Sequence, residues 1–179
     1  MFDVIIESAP VPVLHMLRAF KPSDDVLARI GNLLAMELPS SPSLCSRSGN
    51  ARIHALGPSH WLLQNVAPTA LNRLATDSPD GGVLDVTEVS AGYRAMVVSG
   101  TQGRWLLAKG CTLDTDVRTF PVDACAGTLL AQVEILLIRE SDDRFLILFD
   151  RSFERHLTQW FGQSVRMGLP DALRPSPGP

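Results

Sequence analysis

The stretch that decides the fold is GTLLAQVEILLIRESDDRFLILF, residues 127–149. Residues 127–139 are apolar and rich in Val, Ile and Leu, a composition typical of a β-strand. The polar residues 141–144 predict a turn, and the apolar residues 145–149 predict a second strand that returns beside the first. The sequence here therefore predicts an antiparallel hairpin.

Hairpins and single helices alternate on both sides of this stretch. A last helix is predicted to begin near Asp150 or Ser152, because apolar residues recur there at helical spacing. Its predicted buried residues are Phe153, Leu157, Trp160 and Phe161. The upstream predicted strands and helices are residues 52–56, 61–66, 68–76, 83–87, 93–99 and 101–109. Short connections between such elements favour antiparallel sheets with helices on one face, an α+β architecture.

The two ends of the chain differ from this middle region. Three prolines interrupt residues 1–22, which predicts an extended N-terminal arm. A domain of residues 23–169 follows, built as one unit or as two small subdomains. Ser23 is predicted to cap its first helix, and residues 40–50, rich in serine and proline, to form a loop. The proline-rich residues 170–179 predict a tail without a fixed conformation of its own.

Composition excludes several classes of function. Of 179 residues, 45% are hydrophobic and 20% are charged, as in ordinary globular proteins. A net charge of -3 without a basic cluster gives no surface for nucleic acid. The start Met1-Phe2-Asp3 lacks the basic residues of a secretory signal, and no apolar run is long enough to span a bilayer. We therefore expect a cytoplasmic protein that binds neither nucleic acid nor membrane.

Lys109, at the end of a predicted helix, is the first candidate for chemistry. A desolvated lysine can form a Schiff base or bind an anion. A lysine at a helix C-terminus also interacts favourably with the helix dipole, and we favour this second interpretation. Gly110 follows at a position where a left-handed helix end is expected.

The cysteines suggest a metal or redox site, and the spacing argues against it. Cys45, Cys111 and Cys125 are an odd number, which does not fit a disulfide framework. Cys111 and Cys125 have no close cysteine or histidine partner in the sequence, as zinc would require. The four histidines are distant from them and are His15, His54, His60 and His156. We therefore expect the cysteines to pack as small apolar side chains.

The remaining candidates do not combine into an active site. Asp85 and Asp114 are hypothetical paired carboxylates, although aspartates beside strands and turns more often bond to local backbone. His60 is predicted to be a solvated turn residue. Residues 99–101, Ser-Gly-Thr, resemble a phosphate cradle only weakly, and the glycine is explained by a bend from strand to helix. Arg151 at a helix start predicts a carboxylate partner in this chain or another.

No nucleophile, base and orienting group can be assembled from these residues. The sequence therefore predicts no catalytic residue, no cofactor-binding residue and no metal ligand in this chain. Such a chain is typical of a subunit that serves an enzyme.

Two motifs carry a resemblance to a known family. Ala-Lys-Gly-Cys-x-Leu-Asp at residues 108–114 and Arg-Ser-Phe at residues 151–153 resemble the gamma subunit of heterotetrameric sarcosine oxidase. Weaker similarities extend the resemblance over roughly residues 52–162, in the order and spacing of the family. Thr101 and Gly127 stand where the family usually has proline and glutamine. The motif residues that the resemblance marks as a possible interface are Lys109, Gly110, Cys111, Asp114, Arg151, Ser152, Phe153 and Trp160.

The resemblance implies a fold, partners and an activity. The fold is the folate-binding fold of the glycine cleavage T protein. In such complexes an alpha subunit carries the dinucleotide and a tetrahydrofolate domain, a beta subunit carries the flavin site and a delta subunit holds zinc. FAD, FMN, NAD, tetrahydrofolate and zinc are thus expected in partner subunits and none in this chain. The complex demethylates sarcosine to glycine, forms hydrogen peroxide and passes the methyl carbon to tetrahydrofolate.

Three alternatives remain open. The gamma subunits of related complexes, dehydrogenases that act on other N-methyl amino acids, are similar as well. A freestanding folate-dependent aminomethyl carrier or one-carbon enzyme of the same fold would use Asp85 as its base. An iron–sulphur assembly factor of this fold carries a Lys-Gly-Cys motif, which residues 109–111 match. Here the motif continues with Thr-Leu-Asp at residues 112–114, which disfavours that family.

Overall fold

The structure is a computed structural model and describes residues 3–41, 45–76 and 83–168. The described residues form ten strands and four α-helices. Their bounds in chain order are β1 Ile5–Ala9, β2 Leu14–Phe20, α1 Asp24–Leu34, β3 Cys45–Ser48, β4 Ala51–Gly57, β5 His60–Gln64, α2 Pro68–Thr76, β6 Val83–Glu88, β7 Tyr93–Ser99, α3 Gly103–Ala108, β8 Cys125–Leu130, β9 Val133–Ser141, β10 Arg144–Asp150 and α4 Glu154–Arg166.

The strands form two five-stranded sheets. Sheet I has the order β1-β7-β10-β9-β8, and sheet II has the order β3-β4-β5-β2-β6. Neighbouring strands are antiparallel in both sheets. Four of the eight strand pairs are hairpins of sequential strands. The antiparallel arrangement predicted from the alternating hairpins and helices is confirmed.

Alternation of side chains along each strand produces the layers. In β10, Phe145, Ile147 and Phe149 point to the helix side and pack with residues of α3 and α4. Leu146 and Leu148 point the other way, into an apolar layer shared with sheet II. Sheet II divides its side chains in the same manner, with α1 and α2 on its outer face. The result is a helix–sheet–sheet–helix sandwich, so the α+β prediction is confirmed.

Local signals position the helices of sheet II as the sequence predicts. The Ser23 hydroxyl accepts a hydrogen bond from the backbone N–H of Val26 at 3.4 Å, which caps α1. Pro68 occupies the first position of α2, where its missing N–H costs nothing. Within the described residues, no helix combines the length and the apolar character that crossing a membrane requires.

The N-terminal segment differs from the predicted arm. β1 pairs with β7 in sheet I, and β2 lies between β5 and β6 in sheet II. Leu14 and Leu17 are fully buried in β2. Pro10 and Pro12 fall in the connection between the two sheets, where they interrupt no strand pairing. The prolines that predicted an extended arm therefore mark the crossover between the sheets, and residues 5–20 contribute one strand to each sheet.

Two further segments differ from their predictions. Residues 45–48, predicted as loop, form the edge strand β3 beside β4. The single strand predicted at residues 127–139 is a hairpin, β8 and β9, whose turn consists of Ala131 and Gln132 with φ of 50° and 68°. Such φ values favour Gly, Asn or Asp, so nothing in the sequence signalled the turn. The predicted tail at residues 170–179 lies outside the described residues.

Candidate functional site

Lys109 holds the end of the last helix. Its Nζ donates hydrogen bonds to the backbone carbonyls of Ser164, at 2.7 Å, and Gly168, at 3.2 Å. The same amine lies 4.0 Å from the ring centroid of Trp105. Burial lowers the pKa of Lys109. The lysine thus caps a helix C-terminus, as favoured from the sequence, but the helix is α4 rather than its own.

Gly110 is explained by a close contact. A Cβ added there would lie 2.5 Å from Cζ2 of Trp160, which is closer than real Cβ atoms approach. The prediction of a left-handed conformation at Gly110 is wrong. Its φ is not positive, unlike that of Gly49, Gly100 and Gly168. The glycine is required by the indole ring of α4 packing on its Cα.

Cys111 and Asp114 make local contacts. The Sγ of Cys111 lies 3.9 Å from the Oγ1 of Thr128, on the helix side of sheet I. Asp114 Oδ1 accepts a hydrogen bond from the backbone N–H of Asp116 at 2.9 Å. Cys111 is on the opposite face of the sheet from Cys125, which belongs to the layer between the sheets. The structure therefore does not bring these two cysteines together.

The Arg-Ser-Phe motif leads into α4. Asp150 Oδ1 accepts hydrogen bonds from the backbone N–H of Ser152 at 2.8 Å and from its hydroxyl at 2.6 Å, and these bonds lower the pKa of Asp150. The hydrogen bond recorded for Arg151 is to the backbone carbonyl of Ala91 at 3.5 Å. Phe153 was predicted to be buried, and it is 43% exposed because α4 begins only after it.

A cavity of about 920 Å³ opens between the two sheets beside this motif. Phe153 and Leu129 form part of its lining, and both side chains are more than 40% exposed. Glu88, Glu134 and Asp150 also line it. The cavity is thus an apolar groove with acidic residues in its wall.

The hypothetical paired carboxylates are separate. Asp85 accepts a hydrogen bond from the Thr87 hydroxyl at 2.9 Å and lines a smaller cavity with Arg18 and His60. Asp114 is instead part of a turn after α3. His60 is only partly exposed, and its Nε2 accepts a hydrogen bond from Arg18 Nε at 3.3 Å. Burial, with the nearby guanidinium, lowers the pKa of His60.

The turn that resembled a phosphate cradle holds a carboxylate of the chain itself. Asp3 Oδ2 accepts hydrogen bonds from the backbone N–H of Thr101 at 3.1 Å and from its hydroxyl at 2.8 Å. These two bonds lower the pKa of Asp3. Gly100 has a φ of 105°, and a Cβ there would lie 2.5 Å from the backbone oxygen of Asp3. The glycine permits both the bend and the close approach of the N-terminal segment.

A buried arginine was missed by the sequence analysis. The Arg139 side chain is 2% exposed and donates hydrogen bonds to four backbone carbonyls. The four acceptors belong to Thr115, Phe120, Ser141 and Asp142. Its role is to connect the long loop after α3 with β9. An arginine inside an apolar strand was the available signal, since such a charge needs partners.

A cluster of two cysteines and one histidine was also missed. Cys45 in β3 is the cross-strand neighbour of His54 in β4, and Cys125 approaches them from β8 of the other sheet. One ligand atom from each residue lies within 4.8 Å of the other two. His54 and Cys125 are fully buried, and Cys45 is half-buried. The sequence would have indicated the Cys45–His54 neighbours only if residues 45–48 had been predicted as a strand beside residues 52–56, because the three residues are far apart in the chain.

The electrostatics of the cluster favour a thiolate at Cys45. A hydrogen bond from the Cys125 thiol, with a smaller effect of the Arg52 guanidinium, lowers the pKa of Cys45 to about 5. The bond to Cys45, together with burial, raises the pKa of Cys125. The Arg52 side chain is 10% exposed and lies on the same strand face as His54. The cluster can therefore hold negative charge.

Solved structures define the class of fold. The chain shares its fold with a chain of "Heterotetrameric Sarcosine Oxidase from Corynebacterium sp. U-96 in complex with pyrrole 2-carboxylate", with a TM-score of 0.80 and 23% identity over 92% of this chain and 84% of that one. It also matches the glycine cleavage system aminomethyltransferase T from Bartonella henselae, with a TM-score of 0.60 and 15% identity over 92% of this chain and 47% of that one. The protein thus has the fold of the aminomethyltransferase T class.

Sequence comparison identifies the family within this class of fold. The family described as "Sarcosine oxidase, gamma subunit family" matches residues 21–166, and the chain belongs to it. The sarcosine oxidase gamma subunit of Corynebacterium sp. (strain P-1) is 32% identical over 111 residues, which are 59% of this chain and 52% of the relative. That of strain U-96 is 32% identical over 108 residues, 59% and 51% of the two chains. This chain spans about half the length of the curated relatives it matches.

Proposed function

We propose that this chain is the non-catalytic gamma subunit of a heterotetrameric complex of the sarcosine oxidase type. The complex would oxidatively demethylate sarcosine to glycine and pass the methyl carbon to tetrahydrofolate. The observation that carries the proposal is membership of the gamma subunit family over residues 21–166. The motif residues support a structural role, since Lys109, Gly110 and Asp114 are engaged with the chain itself.

The proposed partners are alpha, beta and delta subunits. FAD, FMN, NAD, tetrahydrofolate and zinc would be held by those partners, and the complex would be cytoplasmic. The sequence of this chain has neither GxGxxG nor GxxxxGK[ST], the motifs that cradle dinucleotides and phosphates. The flavin and nucleotide chemistry of the complex would therefore depend on the other subunits.

The groove between the sheets is the surface that we assign to a partner subunit. Phe153 belongs to the family motif and is exposed at the edge of the groove with Leu129. Exposed apolar side chains beside a cavity are typical of a protein interface. Arg151 is exposed next to Phe153, and the carboxylate predicted for it would come from the partner.

Co-expression tests the proposal. The tagged chain is expressed with the alpha, beta and delta subunits, and the complex is purified through the tag. We expect all four chains in equal amounts and peroxide formation that depends on sarcosine. The chain alone should turn over nothing. Turnover by the isolated chain, or failure to co-purify with a flavin-containing partner, would contradict the proposal.

The choice of electron acceptor separates the two enzyme types. A complex of the dehydrogenase type would reduce an artificial dye with another N-methyl amino acid and would form no peroxide with sarcosine. The same preparation, assayed with both substrates and both acceptors, distinguishes them. Either result leaves the gamma subunit assignment intact, because the chain belongs to neither active site.

A freestanding folate-dependent one-carbon protein is a second candidate. The cavity of about 920 Å³ favours it, since that volume suits a drug-sized ligand. The position of Asp85 argues against it, because the proposed base lines a different, smaller cavity. Calorimetry with tetrahydrofolate on the isolated chain discriminates. Binding with micromolar affinity would favour this candidate, and no heat would exclude it.

A further inference from the structure

We propose that Cys45, His54 and Cys125 form a metal site for a divalent cation of the zinc class. The ligand atoms would be the two Sγ atoms and Nδ1 of His54. This departs from the sequence prediction of no metal ligand in this chain, and it concerns a cation other than the zinc expected in a partner subunit. It does not depend on the proposed function.

The ligand atoms are already close enough for one ion. The two Sγ atoms and one ring nitrogen of His54 lie within 4.8 Å of one another. Tetrahedral zinc, with Zn–S near 2.3 Å and Zn–N near 2.0 Å, requires ligand atoms separated by roughly 3.5 to 3.8 Å. Side-chain shifts of about 1 Å or less would therefore complete the geometry. Two sulfurs and one imidazole are also the donor set that zinc prefers over magnesium or calcium.

His54 is oriented as a metal ligand would be. Its Nε2 lies 2.9 Å from Oε1 of Gln64, so Nε2 carries the proton and donates it to the amide oxygen. Nδ1 then has a free lone pair, and it is buried without a hydrogen-bond partner. A buried acceptor without a hydrogen-bond partner destabilises the fold. A metal-bound histidine characteristically donates its other N–H to a carbonyl or carboxylate, and Gln64 takes that place here.

The charge balance around the site suits a dithiolate. Two thiolates and a neutral imidazole cancel the charge of a divalent ion. The guanidinium of Arg52 lies two residues before His54 on the same strand face, and its side chain is 10% exposed. Cys45 is half-buried, which provides a path for the ion. Water or a ligand from another molecule would occupy the fourth position.

The topology gives the site a structural purpose. Cys45 and His54 come from the β3–β4 hairpin of sheet II, whereas Cys125 begins β8 at the edge of sheet I. Cys45 and Cys125 are 80 positions apart in the chain. An ion held by all three residues would connect the two sheets at their edges. It would therefore stabilise the sandwich where the outermost strands have no further neighbour.

Spectroscopy with cobalt tests the site. The full chain is reduced with a phosphine, freed of metal with a chelator and titrated with Co²⁺, then with Zn²⁺ in competition. We expect one equivalent of Co²⁺ to give a thiolate charge-transfer band and tetrahedral d–d bands, both displaced by Zn²⁺. We also expect one Zn²⁺ per chain to raise Tm. Absence of the thiolate band in the folded, reduced chain would overturn the proposal.

Matched variants identify the ligands. Cys45→Ser, at the half-buried position, should weaken Zn²⁺ binding at least 100-fold and remove one thiolate contribution from the band. Gln64→Ala should weaken it by about 10- to 100-fold, as expected for a residue that orients a ligand. Cys111→Ser, on the opposite face of sheet I, should leave binding unchanged. Equal losses in Cys45→Ser and Cys111→Ser, or no loss in Cys45→Ser, would contradict the assignment.

The competing chemistry of two close thiols is a disulfide. Thiol titration and mass spectrometry of the protein purified without reductant distinguish it. Three free thiols in the denatured chain and one equivalent of bound zinc in the folded chain would support the metal site. A Cys45–Cys125 disulfide, with no metal taken up after reduction, would replace the metal site by a redox bond.

Discussion

At the scale of residues, Lys109 and Gly110 stabilise the contact between α4 and the C-terminal end of α3. The lysine binds the carbonyls at the end of α4, and the glycine accepts the indole ring of Trp160. Trp160 in turn packs edge to face on Phe161, with ring centroids 5.0 Å apart. The Lys-Gly pair of the family motif is therefore explained by helix capping and side-chain packing within this chain.

Gly110→Ala should destabilise the chain. The added methyl group would overlap the Trp160 ring, which must shift against Phe161, and overpacking of this kind costs about 1–3 kcal/mol. Urea unfolding followed by tryptophan fluorescence measures the change in the free energy of unfolding. Gly127→Ala is the matched control, because no atom lies within 4 Å of its added Cβ. Equal effects of the two changes would contradict the packing explanation.

Asp116 should make stability depend on acid pH. Its carboxylate accepts hydrogen bonds from the side chain and backbone of Arg118, at 2.8 and 3.0 Å, and from Arg104 at 3.0 Å. These contacts lower the pKa of Asp116 below its ordinary value of 3.8. The carboxylate thus stabilises the fold fully above that value, and this contribution is lost as pH falls through the lower folded pKa.

Unfolding of Asp116→Asn as a function of pH measures this contribution. The variant should be less stable than the natural chain at neutral pH and should lose less stability below about pH 4. Asp143→Asn, at an exposed turn, serves as the control and should keep the acid dependence of the natural chain. A variant whose loss on acidification parallels that of the natural chain would show that another group is responsible.

At the scale of elements, the β8–β9 turn places β8 as the edge strand of sheet I. Ala131 and Gln132 both have left-handed φ values, which cost energy in residues with a Cβ. Tertiary hydrogen bonds hold the turn, because the Ala131 N–H donates to the Gly110 carbonyl and His156 Nε2 donates to the Ala131 carbonyl, each at 3.0 Å. The conformation is thus imposed by α3 and α4 rather than by the turn sequence.

Gln132→Gly should stabilise the chain by about 1 kcal/mol. Glycine adopts φ near 68° without steric cost, and the hydrogen bonds of the turn are unchanged. Thermal and urea unfolding measure the gain. Asp143→Gly in the next turn is the control, and it should bring no gain because its φ is not left-handed. A loss of stability in Gln132→Gly would mean that the glutamine side chain matters more than its backbone.

The helices and strands show which parts of the fold could be predicted from the sequence. Strong periodicity and local caps made α1, α2 and the order of hairpins and helices predictable, as Ser23 and Pro68 illustrate. The errors of strand placement have a different origin, as residues 45–48 and 127–139 illustrate. β3 is short and polar and is held by its pairing with β4 and by the Arg47–Asp123 ion pair. The β8–β9 turn is held by hydrogen bonds to Gly110 and His156. Neither cause is written in the local sequence.

At the scale of the whole molecule, the candidate site also combines features set by local sequence with features set by tertiary contacts. The exposure of Phe153 depends on where α4 begins, and the Cys45–His54–Cys125 cluster depends on the packing of the two sheets against each other. Sequence distance separates Cys45 from Cys125 by 80 positions, so only the sandwich brings them together. The family motifs were recognisable because they are local. The surfaces that would serve partners are not local, and therefore only the folded chain reveals them.

Phe153→Ser tests the groove as a partner surface. The side chain is 43% exposed in the isolated chain, so its loss should change the free energy of unfolding by less than about 1 kcal/mol. If a partner subunit buries the ring, the change should weaken association by about 2 kcal/mol or more, which is roughly 30-fold in Kd. Affinity is measured by titrating the tagged chain into a complex that lacks its gamma subunit.

Phe20→Ser is the matched control for this experiment. Phe20 is 66% exposed in β2 of sheet II and lines the smaller cavity rather than the groove. Both variants remove the same aromatic ring from an exposed position, so a general effect of lost apolar surface would appear in both. A Kd raised only by Phe153→Ser would locate a partner at the groove. A Kd raised only by Phe20→Ser would instead assign the interface to sheet II and refute the groove as the partner surface.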